Sequence, residues 1–225
     1  MSLKFRLSLQ LAFVLPLVAA MMIGTAGSLH FWQGWVQVGV FGVFSAIFAI
    51  YFLRHDRRLI ERRLRSKEPR AEQRLLKMLW VPLWTCTLVL PGLDYRFGWS
   101  AAFGGVSLWV TVACWILVAV SWWIVFEVLR FNTFASATVE VEAGQKVITD
   151  GPYRLVRHPM YSGFALMILA TPLALGSLVA CVPALLLIPV LVFRLLDEEQ
   201  VLRKELPGYT EYCERTRCRL VPSLF

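Results

Sequence analysis

Two short polar clusters in an otherwise apolar stretch carry the residues whose types and spacing suit chemistry. They are Arg157-His158-Pro159-Met160-Tyr161-Ser162-Gly163, and Arg194 with Asp197-Glu198-Glu199. Proline is accepted at the first position of a helix, where its missing N–H would be unpaired anyway, so Pro159 predicts a helix start with His158 at the cap. The N–H groups of Met160, Tyr161 and Ser162 then form an anion-binding end suited to a carboxylate or phosphate. Gly163 allows close approach of a ligand or of a neighbouring helix. An ordinary helix start with an interfacial His and Tyr accounts for the same residues. In the second cluster Arg194 and Glu198 lie one turn apart on one face, with Glu199 beside them. Charged side chains cost about 2.5–3.5 kcal/mol each at the bilayer centre and less at its edge. Four together fit a water-accessible pocket, or a helix emerging into the cytosol.

The segment between the clusters decides how they meet. Residues 159–193 hold no charge. At 1.5 Å per residue they would reach roughly 52 Å as one helix, against a hydrocarbon core of about 30 Å. A reversal near Pro172, Gly176 and Ser177 therefore brings Arg194 and the three carboxylates back to the side of His158 and Tyr161.

The rest of the chain reads as membrane spans. Hydrophobic residues make up 58% and the mean hydropathy is +0.62, with the charges confined to short blocks. Apolar runs at about 7–29, 32–53, 78–93 and 103–128 predict four spans, the third short and ending at Pro91-Gly92 before a polar turn Asp94-Tyr95-Arg96. Trp32 and Trp35 fit an aromatic belt. Glu127 and Arg130, at i, i+3, form either a ligand contact or an interfacial pair. Residues 54–77 hold ten Lys/Arg against four Asp/Glu. They serve as a topology signal, or as an amphipathic helix with Leu59, Leu64 and Leu75 lying on anionic headgroups. In the loop 131–156, Thr138–Val141 and Lys146–Thr149 alternate apolar and polar residues around Ala143-Gly144-Gln145 and predict a small β-hairpin cap.

The expected fold is thus all-α: a multi-pass transmembrane bundle of four spans plus a C-terminal helical hairpin, with a small cytoplasmic cap. Residues 1–100 form the N-terminal membrane part and 101–225 the catalytic region. Following the ends in turn puts both termini in the cytosol and 22 of the 23 Lys and Arg on that side, Arg96 excepted. The net charge of +8 is then explained by anionic lipid, and no nucleic acid is expected as partner. Cys86, Cys114 and Cys181 lie in apolar runs as small hydrophobes, and Cys213 and Cys218 lack partners at zinc spacing. Neither disulfides nor a metal are expected.

The run Gly151-Pro152-Tyr153-Arg154-Leu155-Val156-Arg157-His158-Pro159-Met160-Tyr161-Ser162-Gly163, the apolar hairpin, Glu198-Glu199, Tyr209, Tyr212 and Arg219-Leu220-Val221-Pro222 resemble the isoprenylcysteine carboxyl methyltransferase family. That family shares its RHPxYxG and EE signature with the membrane phospholipid methyltransferases. The resemblance is strong over 130–225, whereas residues 1–100 agree only in being spans. It implies an S-adenosylmethionine site open to the cytosol. His158, Tyr161 and Gly163 would line the cofactor, Glu198 and Glu199 would hold its ribose or amino group, and Tyr209 and Tyr212 would assist. Arg194 would orient an anionic acceptor, so Arg194 and Glu198 are the expected catalytic residues. The expected partners are membrane lipids and a lipophilic or prenylated substrate entering from the membrane, and the resemblance fits a bacterial cytoplasmic membrane. A carboxylate acceptor needs no general base, whereas a phospholipid amine would give Glu198 or Glu199 that role. Membrane sterol reductases using NADPH are similar in the same half, but continue the motif with Glu after the glycine where this chain has Phe164.

Overall fold

The computed structural model describes residues 3–64, 71–135, 141 and 144–223. Among the described residues eight α-helices follow one another: α1 (Leu3–Ala19), α2 (Trp32–His55), α3 (Arg57–Leu64), α4 (Ala71–Phe97), α5 (Leu108–Phe131), α6 (Pro159–Ala174), α7 (Cys181–Glu205) and α8 (Tyr209–Arg215). No strand occurs among the described residues. Four helices are long and apolar enough to cross a membrane: α1 with its π-helical extension to Gly24, α2, α4 and α5. The fifth membrane element is the hairpin of α6 and α7, reversed at Leu175–Ala180 with Gly176 at φ +76°. Within the bundle α5 packs on α6, α6 on α7, α7 on α4, and α1 on α2. The membrane-facing sides of the helices keep large apolar residues exposed, such as Trp109, Ile116 and Phe193.

Two expectations are corrected. The third span is not short: α4 runs through Pro91 and Gly92, because Gly92 lets α4 sit directly on the π-helical turn of Ala20–Gly24. A Cβ on Gly92 would fall 2.1 Å from Thr25 Oγ1 and 2.5 Å from Met22 O. Thr25 in turn donates its hydroxyl to Met21 O at 2.6 Å, one turn back.

Asp94 does not sit in an outer turn either. It is 4% exposed and accepts from Ser100 N at 2.7 Å and from the hydroxyls of Ser100 and Ser177. Ser100 Oγ also accepts from Leu178 N at 2.8 Å. This knot ties the end of α4 to the tip of the α6–α7 hairpin.

In the basic segment, the alternative of an amphipathic helix on headgroups does not hold for Leu59, which is buried, whereas Leu75 is exposed. Leu59 and Ile60 of α3 are buried against Phe52, Val125, Phe126 and Leu129. Asp56 starts α3 by accepting from Leu59 N at 3.0 Å. Glu127 and Arg130 pair with each other at 3.1 Å, half-exposed on the arginine side. Of the expected β-hairpin, the first arm falls outside the described residues apart from Val141, and the second, Lys146–Thr149, is irregular.

Candidate functional site

The chain enters α6 as its sequence dictates, with His158 at the cap and Pro159 at the first helical position. The C-terminal tail straps this loop in place. Arg157 N donates to Cys218 O at 2.9 Å and His158 N to Arg219 O at 3.0 Å. Ser162 Oγ adds a bond to Leu220 O at 2.6 Å. The His158 ring is consequently buried, edge-on to Tyr161 and with Nε2 3.3 Å from the Tyr209 hydroxyl. Burial lowers its pKa to about 4; the charge of Glu199 opposes this, and those of Arg157 and Arg219 reinforce it. His158 is therefore neutral at neutral pH.

The expected set of three free amides is not there. The N–H groups of Tyr161 and Ser162 both donate to His158 O, at 3.0 and 3.2 Å. The first turn of α6 closes on its own cap carbonyl.

On α7 successive residues point about 100° apart, and the acidic run is divided accordingly. Glu198 faces α6 and accepts from Tyr161 Oη at 2.5 Å. Glu199 faces the tail, where it is 3% exposed and accepts from Arg157 Nη1, Arg219 Nε at 2.7 Å and Arg203 Nη2 at 3.3 Å. Arg157 also donates to Arg217 O at 3.1 Å. Arg194 and Asp197 face α4 and are bridged by the fully buried Gln73, whose Oε1 accepts from Arg194 Nη1 at 2.7 Å and whose Nε2 donates to Asp197.

These elements enclose a cavity of about 500 Å³, within the range of ligand sites. His158, Tyr161, Arg194, Glu198 and Tyr209 line it as the sequence suggests, and so does Tyr212. Gly163 and Glu199 do not, which corrects the expectation of direct contact. A Cβ on Gly163 would stand 3.1 Å from Val125 Cγ2 and 3.2 Å from Ser121 O, so this glycine admits α5 rather than a ligand. Glu199 is enclosed by arginines.

The cavity has two unlike ends. Its polar end gathers His158, Glu198, Tyr153, Tyr209 and Tyr212, and burial pushes the Tyr153 phenol up to about 12. Its other end runs between α4, α6 and α7 along Trp80, Trp84, Met167, Ile168 and Val190. Ile168 lies nine residues into α6 from Pro159, roughly 14 Å deeper along the helix. Five cations, Arg63, Lys77, Lys146, Arg157 and Arg194, line the walls against one acid, Glu198.

Sequence reasoning did not single out Gln73, Arg63 or Lys77 for the site, and it named Tyr153 and Arg157 within the motif without giving either a role. Gln73 looked like loop because α4 starts seven residues before the apolar run at Met78, and no local signal marks it.

Comparison with known proteins bears on the part of the chain that builds most of this cavity. Residues 109–207 match the phospholipid methyltransferase family. The match meets the resemblance read from the RHPxYxG and EE signatures, and it spans α5, α6, α7 and the loop carrying Tyr153 and Arg157. Tyr209 and Tyr212 lie just beyond it, and α1–α4 outside it. The Delta(14)-sterol reductase of Mus musculus is 33% identical over 91 residues, covering 39% of this chain and 22% of the reductase. The chain thus spans about a fifth of that relative's length.

Proposed function

We propose that this protein is an integral membrane methyltransferase that uses S-adenosylmethionine to methylate a lipophilic acceptor bearing an anion, in the simplest case the carboxylate of a prenylcysteine-like lipid. The observation that carries this reading is the cavity with two unlike ends, a polar one rich in cations and tyrosines and an apolar one running into the bundle. The excess of Lys and Arg on one side supports opening of the polar end to the cytosol, with both termini there.

The residues fit the cofactor's chemistry. Arg157 lines the cavity with a buried Nε that has no hydrogen-bond partner among the described residues, as a site for a carboxylate requires. Glu198 supplies an acceptor for hydroxyl or ammonium groups, and the tyrosine faces suit a cationic sulfur. His158, Tyr161, Glu198 and Tyr209 would hold it, while Glu199 and Gly163 act from behind, one fixing Arg157 and the other seating α6 on α5. When bound, S-adenosylmethionine supplies an electrophilic methyl group on a positively charged sulfur.

The chain's own residues do the rest. A neutral His158 adds no like charge beside that sulfur. Arg194, held by Gln73, draws the acceptor's anion into the polar end, and the apolar walls keep water from the tail. An ionised carboxylate needs no base, so Glu198 is left to bind. An amine acceptor would need Glu198 to take a proton, and the excess of cations on the cavity walls favours the anion.

The sterol reductase similarity favours a second reading, an NADPH-dependent reductase. Against it, the position after Gly163 is Phe164, an apolar ring on the cavity wall. Binding of S-adenosylmethionine and of NADPH to the purified protein, followed by Trp fluorescence or calorimetry, separates the two. The expected result is S-adenosylmethionine binding that falls at least tenfold in His158→Ala and in Glu198→Ala with membrane insertion intact. NADPH binding without S-adenosylmethionine binding would overturn the proposal, and unchanged affinity in both variants would reject the site.

A further inference from the structure

The family match begins at residue 109, yet the cavity takes a guanidinium from far upstream. Arg63 stands near the end of α3, a short helix held by its buried Leu59 and Ile60 against α2 and α5. Its neighbour Arg62 secures the same helix to the loop after α5, donating to Thr133 O and lying over the Phe134 ring at 5.1 Å. Arg63 is thereby fixed on the cavity wall.

Its bonding there is poor. Among the described residues its hydrogen-bond partner is the Met160 sulfur at 3.8 Å, a weak acceptor for a group with five N–H donors. Burial lowers its pKa. Arg194 differs, since Gln73 and the neighbouring Glu198 and Tyr161 already surround it.

We infer that Arg63 is the specificity-determining residue for the acceptor: its guanidinium binds the anionic headgroup of a lipid whose tail lies along Trp80 and Trp84. A guanidinium fixed by its helix, facing a cavity and bonded there to a sulfur, is satisfied best by a carboxylate or phosphate oxygen, whose charge-assisted bonds are about twice as strong as those of a neutral acceptor. This rests on the function proposed above and assigns the acceptor side of that same site to a residue outside the family match.

Trp80 and Trp84 supply the readout, because a ligand in the apolar end alters their emission. Dodecanoate, dodecyl phosphate, dodecanol and dodecylamine, which share one tail, are titrated into the protein in nanodiscs, alongside S-adenosylmethionine. Wild type is expected to prefer the two anions over the alcohol and the amine by at least tenfold. Arg63→Gln should reduce that preference to under threefold while leaving S-adenosylmethionine affinity within twofold, the scale of one charge-assisted hydrogen bond. Arg63→Lys should restore part of it. Arg58→Gln removes an equal charge from the exposed face of α3 and should change nothing. Retained anion preference in Arg63→Gln, or an equal loss in Arg58→Gln, overturns the inference while the methyltransferase reading stands. Failure of wild type to bind S-adenosylmethionine overturns both.

Discussion

Replacing Glu199 by glutamine asks whether the tail strap depends on a charge that never meets the cavity. Glu199 holds three arginines of different exposure: the side chain of Arg157 is 5% exposed, that of Arg219 31% and that of Arg203 41%. A solvent-exposed pair contributes about 0.2–1 kcal/mol, so Arg203 matters little. Removing one member of a buried pair costs about 3–5 kcal/mol, because the other charge stays in a poor solvent without its partner. Glutamine keeps the shape and one acceptor oxygen, so the lower figure applies, about 3 kcal/mol or a factor of about 150 in the docking equilibrium. The amides of Arg157 and His158, bonded to Cys218 O and Arg219 O, report that equilibrium directly. Hydrogen exchange over 155–162 should show their protection falling about 100-fold in Glu199→Gln, against less than about fivefold in Arg203→Gln. S-adenosylmethionine affinity should fall with it, since Arg157 and His158 are carried on the strapped loop. Protection within threefold of wild type in Glu199→Gln would show that the buried pair does not hold the strap.

Two further outcomes follow from the geometry. His158 titrates at about 4 in the docked loop and near 6.5 when released, so its contribution is complete above about pH 6.5 and declines as pH falls towards 4. At pH 5 docking should weaken by about 2 kcal/mol, seen as faster exchange of the same amides after correction for intrinsic rates, and a flat profile would mean that the ring is not buried as described. Gly92→Ala would drive a Cβ into Met22 O and Thr25 Oγ1, both fixed by the π-helical turn, and should cost at least about 2 kcal/mol, read as a lowered midpoint of thermal inactivation. An unchanged midpoint would show that the α1–α4 junction yields easily.

What the sequence made legible was whatever a local rule dictates. Pro159 fixed the start of α6, the uncharged length of 159–193 demanded a hairpin, and Gly176 with Ser177 marked its turn. The rest depends on rotation about a helix axis or on partners far along the chain. Glu198 and Glu199 are adjacent and alike in sequence, yet one meets Tyr161 and the other a set of arginines, because a step of one residue turns the side chain by about 100°. Gly163 fitted a ligand or a helix equally well until α5 was in place. At the start of α6 Ser162 N makes the first regular helical bond to the cap carbonyl four residues back, as helix geometry dictates, whereas the tighter bond from Tyr161 N to the same carbonyl has no local signal. Gln73 and Asp94 were hidden for a different reason: each belongs to a polar knot whose other members lie mostly outside its own segment, Ser177 lying 83 residues from Asp94 and Asp197 124 from Gln73.

Those two knots explain how a cavity can persist between helices whose contacts are mostly apolar. Apolar side chains resist separation of helices but only weakly resist sliding or rotation, and lipid offers them an equally apolar alternative. Polar contacts inside the bilayer are directional and have no solvent to replace them. Asp94 with Ser100 and Ser177 fixes α4 to the tip of the hairpin, and Gln73 with Arg194 and Asp197 fixes it to the base. Twenty-one residues separate Gln73 from Asp94, about 32 Å of helix and close to the hydrocarbon thickness. Pinned at both ends, α4 can neither slide nor turn against α7, so Trp80 and Trp84 keep facing Met167 and Val190. The apolar end of the cavity thus depends on two residues outside the family match, Gln73 and Asp94, each bonded to residues within it.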